Sequence, residues 1–192
     1  MSEKRERIID AALRLFCQNG FQHTSTAAIS KEAGVATGTL FLYFKSKDEL
    51  INSLYIEAKN DFAAYLKQSL ATAGNIEEQL RLCWQQATAW ALAHPFHFRF
   101  FSMFSNSPFI TRLSKDEAAS SFHFLQDLVE KGIREKEFIP IEPTFFISLF
   151  NGQLQATLTY ITQHTRLPNQ QGVINQAFTL FIKSMKPISD KV

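Results

Sequence analysis

Residues 24–50 read TSTAAISKEAGVATGTLFLYFKSKDEL, and the spacing of the apolar residues in this stretch decides the fold. Ile29, Ala33, Val35, Leu40 and Phe44 supply a small core for two short helices, over 24–33 and 37–44, that turn about Gly34. Ala33 and Gly34 are small enough for the two helices to cross closely, as in a helix-turn-helix. Ser46-Lys47-Asp48-Glu49 matches the Ser-x-x-Glu capping box, whose two side chains satisfy amides at a helix start, so a long helix is predicted from there to about Leu70. Thr37, Gly38 and Thr39 gather hydroxyls and free backbone N–H groups at the start of the second short helix. Such an end suits phosphate oxygens and base edges.

Working outward, Ile8, Ala12, Leu15 and Phe16 form one stripe of a first helix, and Gly20 stands where a left-handed C-terminal cap is expected. Downstream, Gly74-Asn75 breaks the chain, and Ile76, Leu80, Cys83, Trp84, Ala87 and Ala91 share a helix face that stops at Pro95. A Phe-dense segment over 96–104 leads to Pro108. A helix is predicted over 116–136 with Phe122, Leu125, Val129 and Ile133 inward, then an apolar one over 144–165 and a last one over 170–186. Proline removes a backbone donor and clashes with the preceding turn. All six prolines fall at these proposed boundaries, so two independent signals agree on an all-α chain.

Composition narrows the function. Twenty Lys and Arg face eighteen Asp and Glu, a net charge of +2, and the first fifty residues hold seven against six. Bulk charge therefore does not announce nucleic-acid binding, which must come from local placement. Cys17 and Cys83 form no CxxC pair, so neither a disulfide framework nor a zinc knuckle is expected, and a reducing cytoplasm fits. The start, MSEKRERIIDAALRLF, lacks the apolar run of a signal peptide, and no window approaches a membrane span. His94 and His97 straddle Pro95, and no carboxylate completes a zinc pattern with them or with His123. No metal, cofactor or catalytic residue is expected. A helical enzyme would need paired Glu-x-x-His motifs or a triad, which the chain lacks. A helical adaptor that keeps the helix-turn-helix only as structure is the remaining alternative.

Over about residues 8–54, the run from Gly20-Phe21 through Thr24-Ser25-Thr26, Ile29, Gly34-Val35 and Gly38-Thr39-Leu40-Phe41-Leu42-Tyr43-Phe44-Lys45-Ser46-Lys47-Asp48-Glu49-Leu50 resembles the tetracycline-repressor (TetR) family. The resemblance implies an N-terminal three-helix DNA-binding domain, residues 1–47, and a helical ligand-binding and dimerisation domain, 48–192. It implies phosphate contacts for Ser25, Thr26, Tyr43 and Lys47, and an approach to bases and backbone for Thr37, Gly38 and Thr39, with Phe41 also among the candidate DNA-binding residues. Phe41 stands where a tyrosine is usual and Ala36 where serine is common, so two hydroxyls are missing; Ala27 and Ala28 replace residues that are often charged. The second short helix has no Arg, Asn or Gln, the bidentate readers of guanine and adenine. Specificity then leans on threonine contacts with methyl groups, backbone donors and DNA shape.

Nineteen phenylalanines mark the chain, five of them between His94 and Phe104. Phe96, Phe98, Phe100, Phe101 and Phe104 surround their helix axis, so the segment is either buried on most sides or lends rings to an apolar pocket. Trp84, Phe98, Phe101, Phe122, Phe146 and Phe150 are the candidate pocket residues, with Tyr160 nearby and Gln153 or Arg99 as polar anchors. The resemblance implies a hydrophobic or aromatic small-molecule effector. Ser148, Gly152, Ala156 and Thr159 make a stripe of small side chains, which allows close helix approach. The resemblance implies a four-helix homodimer interface, with Gly152, Ala156, Thr159, Ala177 and Phe181 as candidates. The resulting expectation is a cytoplasmic, ligand-released repressor that grips a palindromic site on double-stranded DNA.

Overall fold

The computed structural model describes residues 2–70, 74–164 and 166–187, which form ten α-helices and no strand. These are α1 (Glu3–Asn19), α2 (Thr26–Glu32), α3 (Thr37–Tyr43), α4 (Lys47–Leu70), α5 (Ile76–Ala93), α6 (Pro95–Phe104), α7 (Arg112–Ser120), α8 (His123–Arg134), α9 (Pro143–Gln163) and α10 (Gln170–Met185). The all-α expectation holds. None of the described helices is long and apolar enough to cross a membrane.

Local chemistry sets the helix ends. Gly20 closes α1 at φ 77°, where a Cβ would be strained. Ser46 Oγ accepts from the Glu49 amide at 3.0 Å, while the Glu49 carboxylate accepts from Lys45 N at 2.7 Å, one residue further out than a capping box requires. A reciprocal box does form at Asn75 and Glu78, each side chain accepting from the other's amide at 2.9 and 3.2 Å. Pro95 and Pro143 occupy first-turn positions, where a missing N–H costs nothing.

The helix expected over 116–136 is two helices. α7 stops at Ser120, whose Oγ donates to Glu117 O at 2.6 Å, and Phe122 takes φ −104°, ψ 10° before α8 starts. A serine pair offers the backbone competing hydrogen bonds, and the apolar period does not reveal that break.

By internal packing the chain divides into two units. One holds the residues up to Asp61 together with His94–Ser120; the other holds Phe62–Ala93 and the residues from Ser121 onward. This division differs from the boundary expected at residue 47, and the first core shows why. Ile8, Ala12, Phe16, Ile29, Leu40 and Phe44 pack in one apolar cluster with Leu50, Ile51 and Leu54 of α4. Phe100 and Phe104 of α6, Ile110 of the segment that follows and Ala118 of α7 complete the same cluster. The helix-turn-helix thus shares its core with segments some sixty residues downstream.

The second unit is built around Trp84, which is wholly buried and donates its indole N–H to Ile174 O at 2.9 Å. Phe150 meets Trp84 edge-on at 5.3 Å between ring centroids, and Phe146 contacts Phe138 and Phe181 at 5.2 Å each. Gly132 lets Phe138 in: a Cβ there would stand 2.4 Å from two atoms of the Phe138 ring. Both cysteines are buried, and burial raises their thiols from an ordinary value near 9 to about 11 for Cys17 and about 12 for Cys83.

Two outcomes follow from this packing. Gly132→Ala should cost about 1–3 kcal/mol by overpacking, seen as a lower melting temperature. Both thiols, neutral and covered at pH 8, should resist iodoacetamide in the folded protein and react once urea unfolds it, as counted by mass spectrometry.

Candidate nucleic-acid interface

The orientation of α3 follows from two side chains. Leu40 and Phe44 are fully inside the first core, with Tyr43 half-buried beside them. On a helix with 3.6 residues per turn, that choice turns positions 38, 41 and 42 away from the core, while Thr37, in line with Leu40, is left uncovered at the start of the helix. Thr37, Gly38, Phe41 and Leu42 are indeed all exposed, as is Lys45 just beyond the helix. Phe41 is 46% exposed and Leu42 is 84% exposed.

Ala36, the cap of α3, has no side-chain oxygen with which to cap it, and its carbonyl accepts from Thr39 N at 2.9 Å and Leu40 N at 3.4 Å. The amides of Thr37 and Gly38 have no acceptor among the described residues. The outward face therefore carries one threonine hydroxyl, backbone donors and two large apolar groups.

The remaining candidates divide. Ser25 is exposed and caps α2, its Oγ accepting from Ala28 N at 3.1 Å, which leaves the hydroxyl proton to donate elsewhere. Thr26 and Thr39 are half-buried. Tyr43 Oη lies 2.8 Å from Ser2 Oγ, so this hydroxyl already has a partner at the start of α1. Lys47 departs furthest from expectation. Its ammonium donates to Phe21 O at 2.9 Å and Thr24 O at 3.0 Å and sits 4.2 Å from the centre of the Phe21 ring. Two of its three N–H groups thus hold the turn between α1 and α2, and its main role in the structure is that of a strut.

Three further residues that the sequence pattern did not single out brace this face. Asn52 accepts from Thr111 N at 2.9 Å and donates to Phe109 O at 3.0 Å, which clamps the segment between α6 and α7 onto α4. Arg5 forms a two-pronged ion pair with Glu57, one prong at 2.9 Å, and lies over the Phe44 ring at 5.1 Å. A lone Asn or an Arg and a Glu fifty residues apart leave no local signature, so no sequence signal could have found them.

The expected pocket residues fall in different places. Phe98 and Phe101 belong to the first unit and are half-buried; the Lys59 ammonium stands 4.2 Å from the Phe101 ring centre, and burial lowers its pKa to about 8. Trp84, Phe146 and Phe150 are buried in the second unit. Phe122 packs on Phe62 at 5.8 Å, and Gln153 is half-buried. An open recess in the second unit is lined by Leu92, Ile161, Thr162, His164, Leu167 and Gln170. Their apolar character identified the core aromatics but could not separate a packed ring from a pocket wall.

Of the interface candidates, Gly152 and Ala156 are exposed and Thr159 is half-exposed, flanked by exposed Phe145, Leu149 and Tyr160. Ala177 and Phe181 lie on the inward side of α10. Both are buried in their own unit, Phe181 edge-on to Phe146 and Phe150, because the inward stripe of α10 runs Ile174, Ala177, Phe178, Phe181, Ile182 and Met185. The outward apolar residue of α10 is Leu180, 61% exposed.

Because the Lys47 ammonium satisfies two carbonyls, Lys47→Met should leave them short of a donor. A loss of about 1–3 kcal/mol should appear as a lower melting temperature, with wild-type behaviour at Lys45→Met as the contrast.

Comparison with known proteins agrees with this geometry. Residues 8–54 match the sequence model of bacterial regulatory proteins, tetR family. The fatty acid metabolism regulator protein of Bacillus subtilis (strain 168) is 35% identical over 85 residues, 43% of this chain and 44% of the relative, so the match spans less than half of that protein's length. The crystal structure of a tetR family transcription regulator from Shewanella sp. PV-4 superposes with a TM-score of 0.88 and 33% identity, covering 95% of this chain and 97% of the other. FadR from Bacillus subtilis in complex with stearoyl-CoA shares the fold at a TM-score of 0.78 and 22% identity, covering 94% and 98%. With a full-length likeness at that identity and the helix-turn-helix in place, the chain belongs to the TetR family of transcription regulators.

Proposed function

We propose that the chain is a cytoplasmic homodimeric repressor that inserts α3 of each subunit into the major groove of a near-palindromic operator and is released by an apolar small molecule. The observation that carries this is the outward face of α3, a helix anchored from behind and presenting Thr37, Gly38 and their unsatisfied amides. A second helix held in this way, with its first turn bare, suits entry into a groove. Ser25 and Lys45 on the same unit supply exposed partners for phosphate.

Support for the homodimer comes from α9 and α10. Small Gly152 and Ala156 amid exposed Phe145, Leu149 and Tyr160, together with Leu180, leave apolar surface uncovered that a second copy of the same surface would bury. Support for an apolar effector comes from the density of aromatic rings and from two relatives, one named for fatty acid metabolism and one holding stearoyl-CoA. Long-chain acyl-CoA thioesters are therefore the first effectors to try. Such a ligand releases DNA only to the extent that it binds the DNA-incompetent state more tightly.

Selection of duplexes from a random pool should return a two-fold-related site for which the logarithm of the affinity falls steeply and linearly with the logarithm of salt concentration. Binding that ignores both sequence and salt would contradict the proposal. Gly152 offers the sharper test of the dimer, because a Cβ there meets nothing within 4 Å. Gly152→Leu should fold with an unchanged melting temperature at high dilution, elute as a monomer on a sizing column and lose affinity for the two-fold site. A variant that still elutes as a dimer would place the interface elsewhere.

A further inference from the structure

Leu42 is 84% exposed and Phe41, next to it, 46% exposed, on a helix whose fold is secured by the burial of Leu40 and Phe44. The fold gains almost nothing from a leucine so fully in water. The two side chains flank Gly38 on the exposed side of α3, and neither they nor Thr37 offers a guanidinium, carboxamide or carboxylate. Guanine and adenine are told apart in the major groove by paired hydrogen bonds from Arg, Lys, Asn or Gln. An apolar side chain can distinguish one major-groove feature, the 5-methyl group of thymine. We infer that Leu42, with Phe41 beside it, reads thymine 5-methyl groups in each half-site.

This inference rests on the DNA-binding proposal above and names what the reading face selects. Duplex DNA fits the patch better than a protein partner does. Two side chains on a seven-residue helix fall far short of the roughly 800 Å² that a stable protein contact buries on each side. The first turn of the same helix also carries the bare amides of Thr37 and Gly38 and the Thr37 hydroxyl. It occupies the second helix of a helix-turn-helix, the element whose side chains meet base edges.

The test uses the full chain and the duplex recovered by selection from a random pool. That duplex is remade with uracil in place of thymine at one position at a time, which removes only the methyl carbon. At one or two positions in each half-site, the wild type should bind the uracil duplex about fourfold more weakly, the effect of one methyl-sized apolar contact. Leu42→Ala should bind the thymine duplex more weakly by a similar factor and respond no further to uracil at those positions. Its melting temperature and salt slope should match the wild type, since the side chain is almost wholly in water. If Leu42→Ala weakens thymine and uracil duplexes yet keeps the wild-type uracil penalty, the methyl-reading role is wrong. It is equally wrong if uracil is harmless at every position; in both cases the DNA-binding proposal stands. If no duplex is bound in a sequence- and salt-dependent way, both fall together.

Discussion

Leu40 and Phe44 must leave water together, and α3 has only one orientation in which both can. A helix of seven residues has no stability of its own in water, since nucleation costs more than so few hydrogen bonds return. What holds it is the burial of these two side chains, worth about 1.5–3 kcal/mol each, in a cluster that also contains Phe16, Ile29 and Leu50. The identity of the outward face is then settled without further choice. Gly38, Phe41 and Leu42 face water because Leu40 and Phe44 do not, and Thr37 is exposed at the first turn of the helix. Substitutions on the outward side can change what the helix meets without disturbing what places it.

Within the first unit, α4 ties that placement to the rest. Lys47 holds the carbonyls of Phe21 and Thr24, Asn52 holds the backbone at Phe109 and Thr111, and Glu57 holds Arg5 on α1. The three are five residues apart, so each leaves the helix in a different direction. A shift of α4 along or about its axis would strain all three attachments at once. This gives the first unit a single mechanical reference, and it lets α6 and α7 belong to the same core as the helix-turn-helix. An effector that moved any of these segments would therefore act on α3 through packed side chains and need no flexible linker.

The ten helices were largely legible in the sequence because proline, glycine and capping residues mark ends by local chemistry, as Gly20, Pro95 and Pro143 do here. The break at Ser121–Phe122 was missed because an apolar period of 3.6 runs through it undisturbed. The exposure of Gly38, Phe41 and Leu42 was legible from the position of Leu40, and that of Thr37 from its place at the start of the helix. Lys47 was not, because a basic residue near a phosphate-binding element looks the same whether its ammonium points to solvent or to a neighbouring carbonyl. On α10, Ala177 and Leu180 both fit an apolar stripe, and only the packing of Phe178 and Ile182 decides which one faces out. Pairings between distant residues, such as Arg5 with Glu57, have no sequence signature at all.

The apolar character of the outward face also limits how the operator can be discriminated. A bidentate hydrogen-bonded pair contributes about 1–3 kcal/mol of discrimination, whereas one methyl contact contributes about 0.8 kcal/mol, or roughly fourfold. If each subunit reads two methyl groups, a dimer collects four such contacts, roughly 250-fold in all. Specific regulators generally separate their sites from random DNA by about 10³–10⁷. The shortfall has to come from contributions that need no bidentate side chain: the backbone donors at Thr37 and Gly38, and the energy of bending or narrowing the duplex between the half-sites. An operator for this protein should therefore constrain base pairs that no side chain touches, and its thymines should matter individually less than its spacing does.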